Sequence, residues 1–383
     1  MPSEVCVSNP MRVLISGASF AGLATAFWMT RLGHKVTIVE AAAGLRRGGT
    51  PVDITGETID ILRRMGMLDA VLAKALPPRG FDFKDENDAT LGGFTAETGE
   101  RDPATARYEI HRDDLLDILF AAIDGAIDMR FQRSIRQLSD NASAVTVTFD
   151  DGAQEQYALV FGCDGNRSNT RALAFDDAET ASYFMGGYFY LRVVPETGLL
   201  PGDTSQLFSV PGKSAMLNGY HDRTDICLAF RAERPIAYDF RDKAAQRRLI
   251  REQFEGIGWK VPAMLAHVDT EGDFYFDQAN QIRMQTWSTG RIALVGDAGY
   301  CVSPLAGMGG SIALIGAARL ADALAQHPGD HAAAFQAYET GLRPFVEAVQ
   351  ERAATNGMSM LFPADEAELA ERNRRLRDGT IDL

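Results

Sequence analysis

Two glycine-bearing segments, far apart in the chain, carry the residue types able to do chemistry. The first is Gly17-Ala18-Ser19-Phe20-Ala21-Gly22, set between an apolar strand, Arg12 to Ser16, and an expected helix from Leu23 to Leu32. Gly17 permits a tight turn, and Gly22 lets helix and strand pack closely. The start of such a helix offers free N–H groups and the positive end of its dipole to a pyrophosphate. Glu40 closes the next strand about twenty residues on, where an acid hydrogen-bonds ribose hydroxyls. The second segment runs from Arg291 through Gly296-Asp297 to Pro304, Gly307, Met308, Gly309 and Gly310. It reads as a buried strand ending at a carboxylate, then a Pro/Gly loop, then a helix opening at Ser311. Two cofactor-contacting loops this far apart point to a long cofactor gripped at both ends, FAD.

The elements around the first segment form a complete βαβ unit of about thirty residues. Ser19 stands where the middle glycine of the dinucleotide fingerprint is usual, and a small residue still lets phosphate approach. A tight βα turn without ligand is the plainer reading. A nucleophile elbow is the sharper rival, but it requires G-x-S-x-G and position 21 is alanine. Between the two glycine segments, Arg46 and Arg47 precede Gly48-Gly49, with Asp53 shortly after. Two arginines before a glycine pair reach phosphate or flavin edges, or else form a solvated basic loop. Glu57 to Met67 is expected to be helical. From Tyr108 a second amphipathic helix is expected, with Asp113 and Asp114 at its acidic start. Arg112, at its entry, either points into a cofactor groove or pairs with those carboxylates. Asp164-Gly165, with Ser168 and Arg171 following, closes another buried strand.

Length and composition set the frame. The chain has 383 residues, which suits two domains, and an apolar fraction of 46% is ordinary for a soluble protein. A net charge of −14 argues against nucleic acid and anionic membranes. Cys6, Cys163, Cys227 and Cys301 are scattered, so neither metal ligation nor a disulfide framework is expected, and a reducing cytoplasm fits. The uncharged run Ala298 to Ala318 contains Pro304 and five glycines, which makes a membrane span a poor reading. From about Asp176 to Arg283 aromatics become dense, among them Tyr188, Tyr190, Phe208 and Phe240, in strands read as antiparallel. Such a sheet can wall an aromatic ligand or simply form a core. His331 to Arg352 reads as one long helix broken near Pro344, and Asp365 to Arg377 as a solvated helix.

The three motifs in this order resemble the class A flavoprotein monooxygenases, the single-component FAD-dependent aromatic hydroxylases. They are Gly17-x-Ser19-x-x-Gly22 with Glu40, Asp164-Gly165 with Arg171, and Gly296-Asp297 with Pro304, Gly307 and Gly309. The likeness covers nearly the whole chain. It is closest to the tetracycline-inactivating branch through Phe274-Tyr-Phe-Asp277 and the run Gly290 to Leu305. The resemblance implies an α/β fold: a Rossmann-like FAD-binding domain, an inserted antiparallel-sheet substrate domain and a long C-terminal helix. The expected division is 11–78, 107–175 and 284–330 for FAD, 79–106 and 176–283 for substrate, and 331–383 for the helical end.

It further implies residue roles. Gly17, Ser19, Phe20, Ala21 and Gly22 would line the pyrophosphate, and Glu40 would hold the adenosine ribose. Arg46, Arg47, Asp53, Arg112, Asp164, Gly296 and Asp297 would contact FAD, with Arg171 in the middle motif. Pro304, Gly307, Gly309, Gly310 and Ser311 would lie beside the isoalloxazine. Relatives carry polar residues where this chain has Met308 and Ser311. Phe184, Met216, Phe230, Tyr300 and Met308 are the expected substrate walls. The implied reaction is NADPH reduction of FAD, O2 addition at flavin C4a, and transfer of one oxygen from the hydroperoxide to a polycyclic aromatic or tetracycline-like polyketide. No side-chain nucleophile and no metal are needed, and a monomer is expected. A flavin oxidase or reductase without oxygen insertion, and a non-catalytic FAD-containing binding protein, are the competing readings.

Overall fold

Val13, Leu14 and Ile15 have no exposed surface because their strand is sandwiched on both faces. In the computed structural model, which describes residues 10–94, 107–141, 143–176, 181–195, 198–239 and 241–380, strand Arg12–Ser16 lies inside a six-stranded sheet. It pairs in parallel with Leu159–Gly162 on one side and Lys35–Glu40 on the other. Strand alternation divides the side chains. Val13, Ile15, Ile38 and Phe161 meet the helices Phe20–Arg31 and Gly309–Gln326. Leu14, Val39, Val160 and Ile292 meet a three-stranded antiparallel sheet through Val145, Val147 and Phe149. The result is a helix layer, a mostly parallel sheet and a second sheet. This is the expected Rossmann-like body.

A seven-stranded sheet forms the second body. Its order is Tyr275–Ile282, Ser182–Pro195, Arg223–Arg231, Lys213–Gly219, Thr204–Val210, Gly80–Lys84 and Thr90–Phe94. The strands were expected to be antiparallel, and one pair departs from this: Thr204–Val210 runs parallel to Gly80–Lys84. The parallel pair exists because Gly80–Thr90 arrives from a different part of the chain and needs no hairpin. Helices Lys243–Phe254 and Val261–Val268 cover one face, burying Tyr188, Tyr190, Leu228 and Phe230. Leu305, Met358 and Phe362 cover the other, against Phe189, Ala229 and Ala279. Phe240 and Cys6 lie outside the described residues.

Several element boundaries differ from expectation. Helix Glu57–Met65 stops at Gly66, which is left-handed at φ 75°. Arg107–Ile110 is a strand paired with Val52–Thr55, so the helix begins only at Arg112. Helix His331–Arg352 runs unbroken through Pro344, whose ring is exposed, so water can satisfy the carbonyl it frees. Helix Glu366–Arg377 is not wholly solvated: Arg372 and Leu376 are buried, and Leu376 packs on Phe83 and Leu207. Among the described residues no helix is long and apolar enough to cross a membrane, and no cluster of His, Cys, Asp and Glu could hold a metal.

Candidate functional site

The glycine turn is built by exclusion. A Cβ on Gly22 would stand 1.9 Å from the Gly17 carbonyl oxygen, and one on Gly17 would stand 2.5 Å from that of Cys163. Only glycine permits this approach, and Gly17 also has φ 105°. Ser19 is extended and its side chain does not cap helix Phe20–Arg31, so the first-turn N–H groups stay available. The Ser19 hydroxyl instead accepts from Arg112 Nη2 at 3.0 Å. Glu40 accepts from the N–H groups of Ala18 and Ala42, each at 2.9 Å. Each of its oxygens keeps a lone pair for a ribose hydroxyl.

Arg112 organises the loop after the second strand. Its Nη1 donates to the carbonyls of Arg46 at 2.7 Å and Gly48 at 3.3 Å, and its guanidinium lies 5.1 Å over the Phe20 ring. Burial pulls its pKa below the usual arginine value. The carboxylates beside it are used elsewhere: Asp113 accepts from Gly48 N–H at 2.9 Å, and Lys74 holds Asp114. Arg47 is half-exposed and pairs with Asp117 at 2.6 Å, which makes it a brace at the rim. Asp53 is a second brace: its carboxylate takes Arg107 at 2.8 and 3.0 Å, and its carbonyl takes Ser311 Oγ at 2.8 Å.

The far loop faces this first one. At Gly296, φ is 69° and a Cβ would lie 3.0 Å from the Ala21 Cβ, so the two loops touch. Asp297 opens a four-residue helix, and burial pushes its carboxyl up to about 6. Ser303 is strained at φ 81°, and Gly307 is left-handed at 63°. Helix Gly309–Gln326 starts two residues before the expected Ser311, with no side-chain cap. A Cβ on Gly310 would meet Val52 at 2.6 Å, whereas Gly309 has nothing within 4 Å. Ser311 is buried inside the first turn and bonded to Asp53, so its hydroxyl serves the loop contact.

Asp164 joins the two ends. Its carboxylate accepts from Ser168 Oγ at 2.5 Å, Thr170 N at 2.9 Å, Thr170 Oγ1 at 2.8 Å and Ser16 Oγ at 3.2 Å. Three of these four bonds lie inside its own loop, and Oδ1 accepts only from Ser168. Arg171, buried, donates to the carbonyls of Ala298 and Asn166, both at 2.7 Å. It fastens the middle motif to the Asp297 loop.

Two helix starts without side-chain caps, the glycine turns Gly17–Gly22 and Gly307–Gly310, and the carboxylates of Glu40 and Asp297 thus lie on two loops that touch. That donor set fits an extended dinucleotide, with anion-binding N–H groups at one end and a flat glycine surface at the other. The model for the FAD binding domain family matches residues 10–194 and 239–353. The chain belongs to this family. An uncharacterized protein of Mycobacterium tuberculosis is 38% identical over 340 residues, covering 88% of this chain and 90% of the relative. A flavin-dependent monooxygenase of Legionella longbeachae is 34% identical over 351 residues, covering 90% and 88%. The solved structure of tetracycline destructase Tet(51) superposes with a TM-score of 0.83 at 32% identity, covering 97% of each chain. The likeness to class A FAD monooxygenases read from the motifs therefore holds, and the chain is an FAD-dependent oxidoreductase of that class.

In this monooxygenase, packing turns three of the expected substrate-wall residues towards other partners. Phe230 stacks on Tyr188 at 5.3 Å and faces the covering helices, away from the Pro304 loop. Phe184, 5.7 Å from Tyr188, packs on the same side. Tyr300 is core: its hydroxyl lies 2.6 Å from that of Tyr338, and its ring lies 4.4 Å from Trp287. Met216 lies on the opposite face, in register with Cys227. Cys227 packs on the cluster of Phe189, Ala229 and Ala279, which Leu305 and Ala306 of the far loop also pack against. Met308 is half-buried at the helix entry. The sequence reading missed Tyr275. It is 41% exposed, and its phenol lies within electrostatic reach of Asp277, Asp297 and Arg167. Its alternation with the buried Phe276 was the available signal.

Proposed function

We propose that this monooxygenase uses NADPH and O2 to place one oxygen atom on a polycyclic aromatic or tetracycline-like polyketide. The observation that carries the proposal is the apolar sheet face of Phe189, Ala229 and Ala279, whose cluster Leu305 and Ala306 of the far loop pack against, with half-buried Cys227 and Met216 beside it. An electron-rich ring held on that face would meet the cofactor surface offered by Pro304, Gly307, Gly309 and Gly310. The whole-length likeness to Tet(51) supports the substrate class.

Bound FAD supplies the redox chemistry, accepting hydride and, once reduced, activating O2. The chain holds it. The N–H groups of Phe20, Ala21 and Gly22 would take the pyrophosphate, and Gly17 and Ser19 would shape the turn beneath it. Glu40 would hold ribose hydroxyls. Gly296 and Asp297 would hold the ribityl region, and Arg46 and Arg112 would neutralise phosphate charge. Helix Gly309–Gln326 would direct its positive end at the ring system, stabilising negative charge there.

Purified holoenzyme is incubated with NADPH and a panel of tetracyclines and other aromatic polyketides, and products are read by mass spectrometry. A product heavier by one oxygen atom is expected. NADPH consumption with peroxide alone, across the whole panel, would replace the proposal with an oxidase reading.

A further inference from the structure

Lys243 and Arg247 sit one turn apart on helix Lys243–Phe254 and share a single aromatic platform. Lys243 Nζ lies 4.4 Å from the Phe274 ring centroid, and the Arg247 guanidinium lies 5.1 Å from it. Each spends one donor on a neighbouring carbonyl: Lys243 on Phe274 at 3.2 Å, and Arg247 on Gly272 at 3.3 Å. Most of their donors remain. Phe274 immediately precedes Tyr275, so this pair stands at the start of strand Tyr275–Ile282, whose other end meets the far loop where Ile282 N–H donates to the Cys301 carbonyl. A third cation approaches from the other body. Arg46 is exposed on the loop that Arg112 holds against Ser19, and it lies within electrostatic range of Lys243.

This grouping is unfavourable by itself. Lys243 is the first residue of its helix, where the dipole disfavours cations, and no acid occupies the first turn. Burial chiefly draws the Lys243 pKa down; Asp273 opposes this, and repulsion from Arg46 and Arg247 adds to it. Asp239 and Asp242 accept from the backbone N–H groups of Arg241 and Ala245. Like charges held together across a domain junction, in a chain of net charge −14, become favourable when a doubly charged anion sits among them.

We propose that Lys243 and Arg247 form the site for the 2′-phosphate of NADPH at the mouth of the flavin groove. This rests on the proposed use of a nicotinamide cofactor. The same phosphate chemistry could serve the FAD pyrophosphate, so the test separates the two sources. Adenosine 2′,5′-bisphosphate and adenosine 5′-monophosphate are titrated calorimetrically into FAD-loaded enzyme. The bisphosphate should bind roughly tenfold tighter, about the effect of one charge-assisted hydrogen bond. Lys243→Gln, exposed and so safe for folding, should lose most of that preference, and Lys243→Gln with Arg247→Gln all of it, with flavin content unchanged. No preference in the natural protein, or a preference kept in the double variant, overturns the site. Loss of FAD with the preference retained assigns the cations to FAD and also overturns it. A protein that prefers the bisphosphate, yet is bleached by neither NADPH nor NADH, keeps the site and defeats the nicotinamide reading.

Discussion

Arg112 Nη2 donates to Ser19 Oγ at 3.0 Å, tying the entry of one helix to the cap position of another across the cofactor groove. The same guanidinium holds two carbonyls of the Arg46–Gly49 loop. Removing it therefore loosens the turn and the loop together. Arg112→Ala should weaken FAD binding by roughly 10- to 100-fold, the range for losing charged hydrogen bonds that leave partners unpaired. Arg112→Lys should recover little, because a single ammonium nitrogen cannot span acceptors reached by two separate guanidinium nitrogens. Flavin fluorescence on dilution reports the release. Unchanged retention in Arg112→Ala would remove this residue from the site.

Gly309 and Gly22 separate the packing role of glycine from its ligand role. A Cβ at Gly22 collides with the Gly17 carbonyl, so Gly22→Ala should lower thermal stability sharply whether or not FAD is present. A Cβ at Gly309 meets nothing within 4 Å, and its position opens a helix. Gly309→Ala should leave the apoprotein as stable, or stabilise it by up to about 1 kcal/mol. The added methyl would project into the proposed flavin space, so FAD affinity should fall in the same variant. Apo and holo melting curves measured side by side give both answers.

The parts legible in the sequence were those dictated by local backbone demands. Gly17, Gly22 and Glu40 were readable because a βαβ turn needs them at fixed offsets, and the Gly296-Asp297 strand end was readable for the same reason. Sheet faces were harder to read. Phe184 and Phe230 are aromatic and lie in the right domain, but the face they present depends on alternation through the bulge between Phe184 and Gly187 and on which side the helices cover. Tyr300 was misread because it adjoins a motif, whereas its hydroxyl is committed to Tyr338, a partner on a helix far along the chain. Lys243 and Arg46 converge only through tertiary packing, and no spacing rule reports that.

Asp297 gives a pH prediction. Burial raises its carboxyl from about 3.9 in the unfolded chain, the ordinary aspartate value, to about 6 in the folded one. The folded apoprotein thus binds the proton more tightly. The resulting penalty is absent below about pH 4, grows as pH rises towards 6, and is complete above it, at roughly 2–3 kcal/mol. Asp297→Asn should stabilise the apoprotein at neutral pH and make no difference near pH 4. The same change should weaken FAD binding, since an amide accepts less strongly from ribityl hydroxyls. Melting temperatures of the two apoproteins across that range test the sign. A stability gain that grows as pH falls would contradict it.

Met216 and Phe230 sit on opposite faces of one sheet and should fail in opposite ways. Phe230 is 1% exposed and stacked on Tyr188 beneath the covering helices. Phe230→Ala should cost about 3–5 kcal/mol of stability, the range for emptying a buried aromatic site, with little change in the substrate KM of the folded fraction. Met216 is half-buried on the face that adjoins Cys227 and the C-terminal Met360 and Leu361. Met216→Ala leaves the helix-covered core untouched. It should raise KM for a bulky aromatic substrate by roughly 10-fold or more, a ratio typical of lost side-chain contacts in an apolar pocket. Flavin reduction by NADPH without substrate should proceed at its original rate. Steady-state kinetics and melting curves on both variants decide between the faces. A KM effect in Phe230→Ala with none in Met216→Ala would move the substrate to the other side of the sheet.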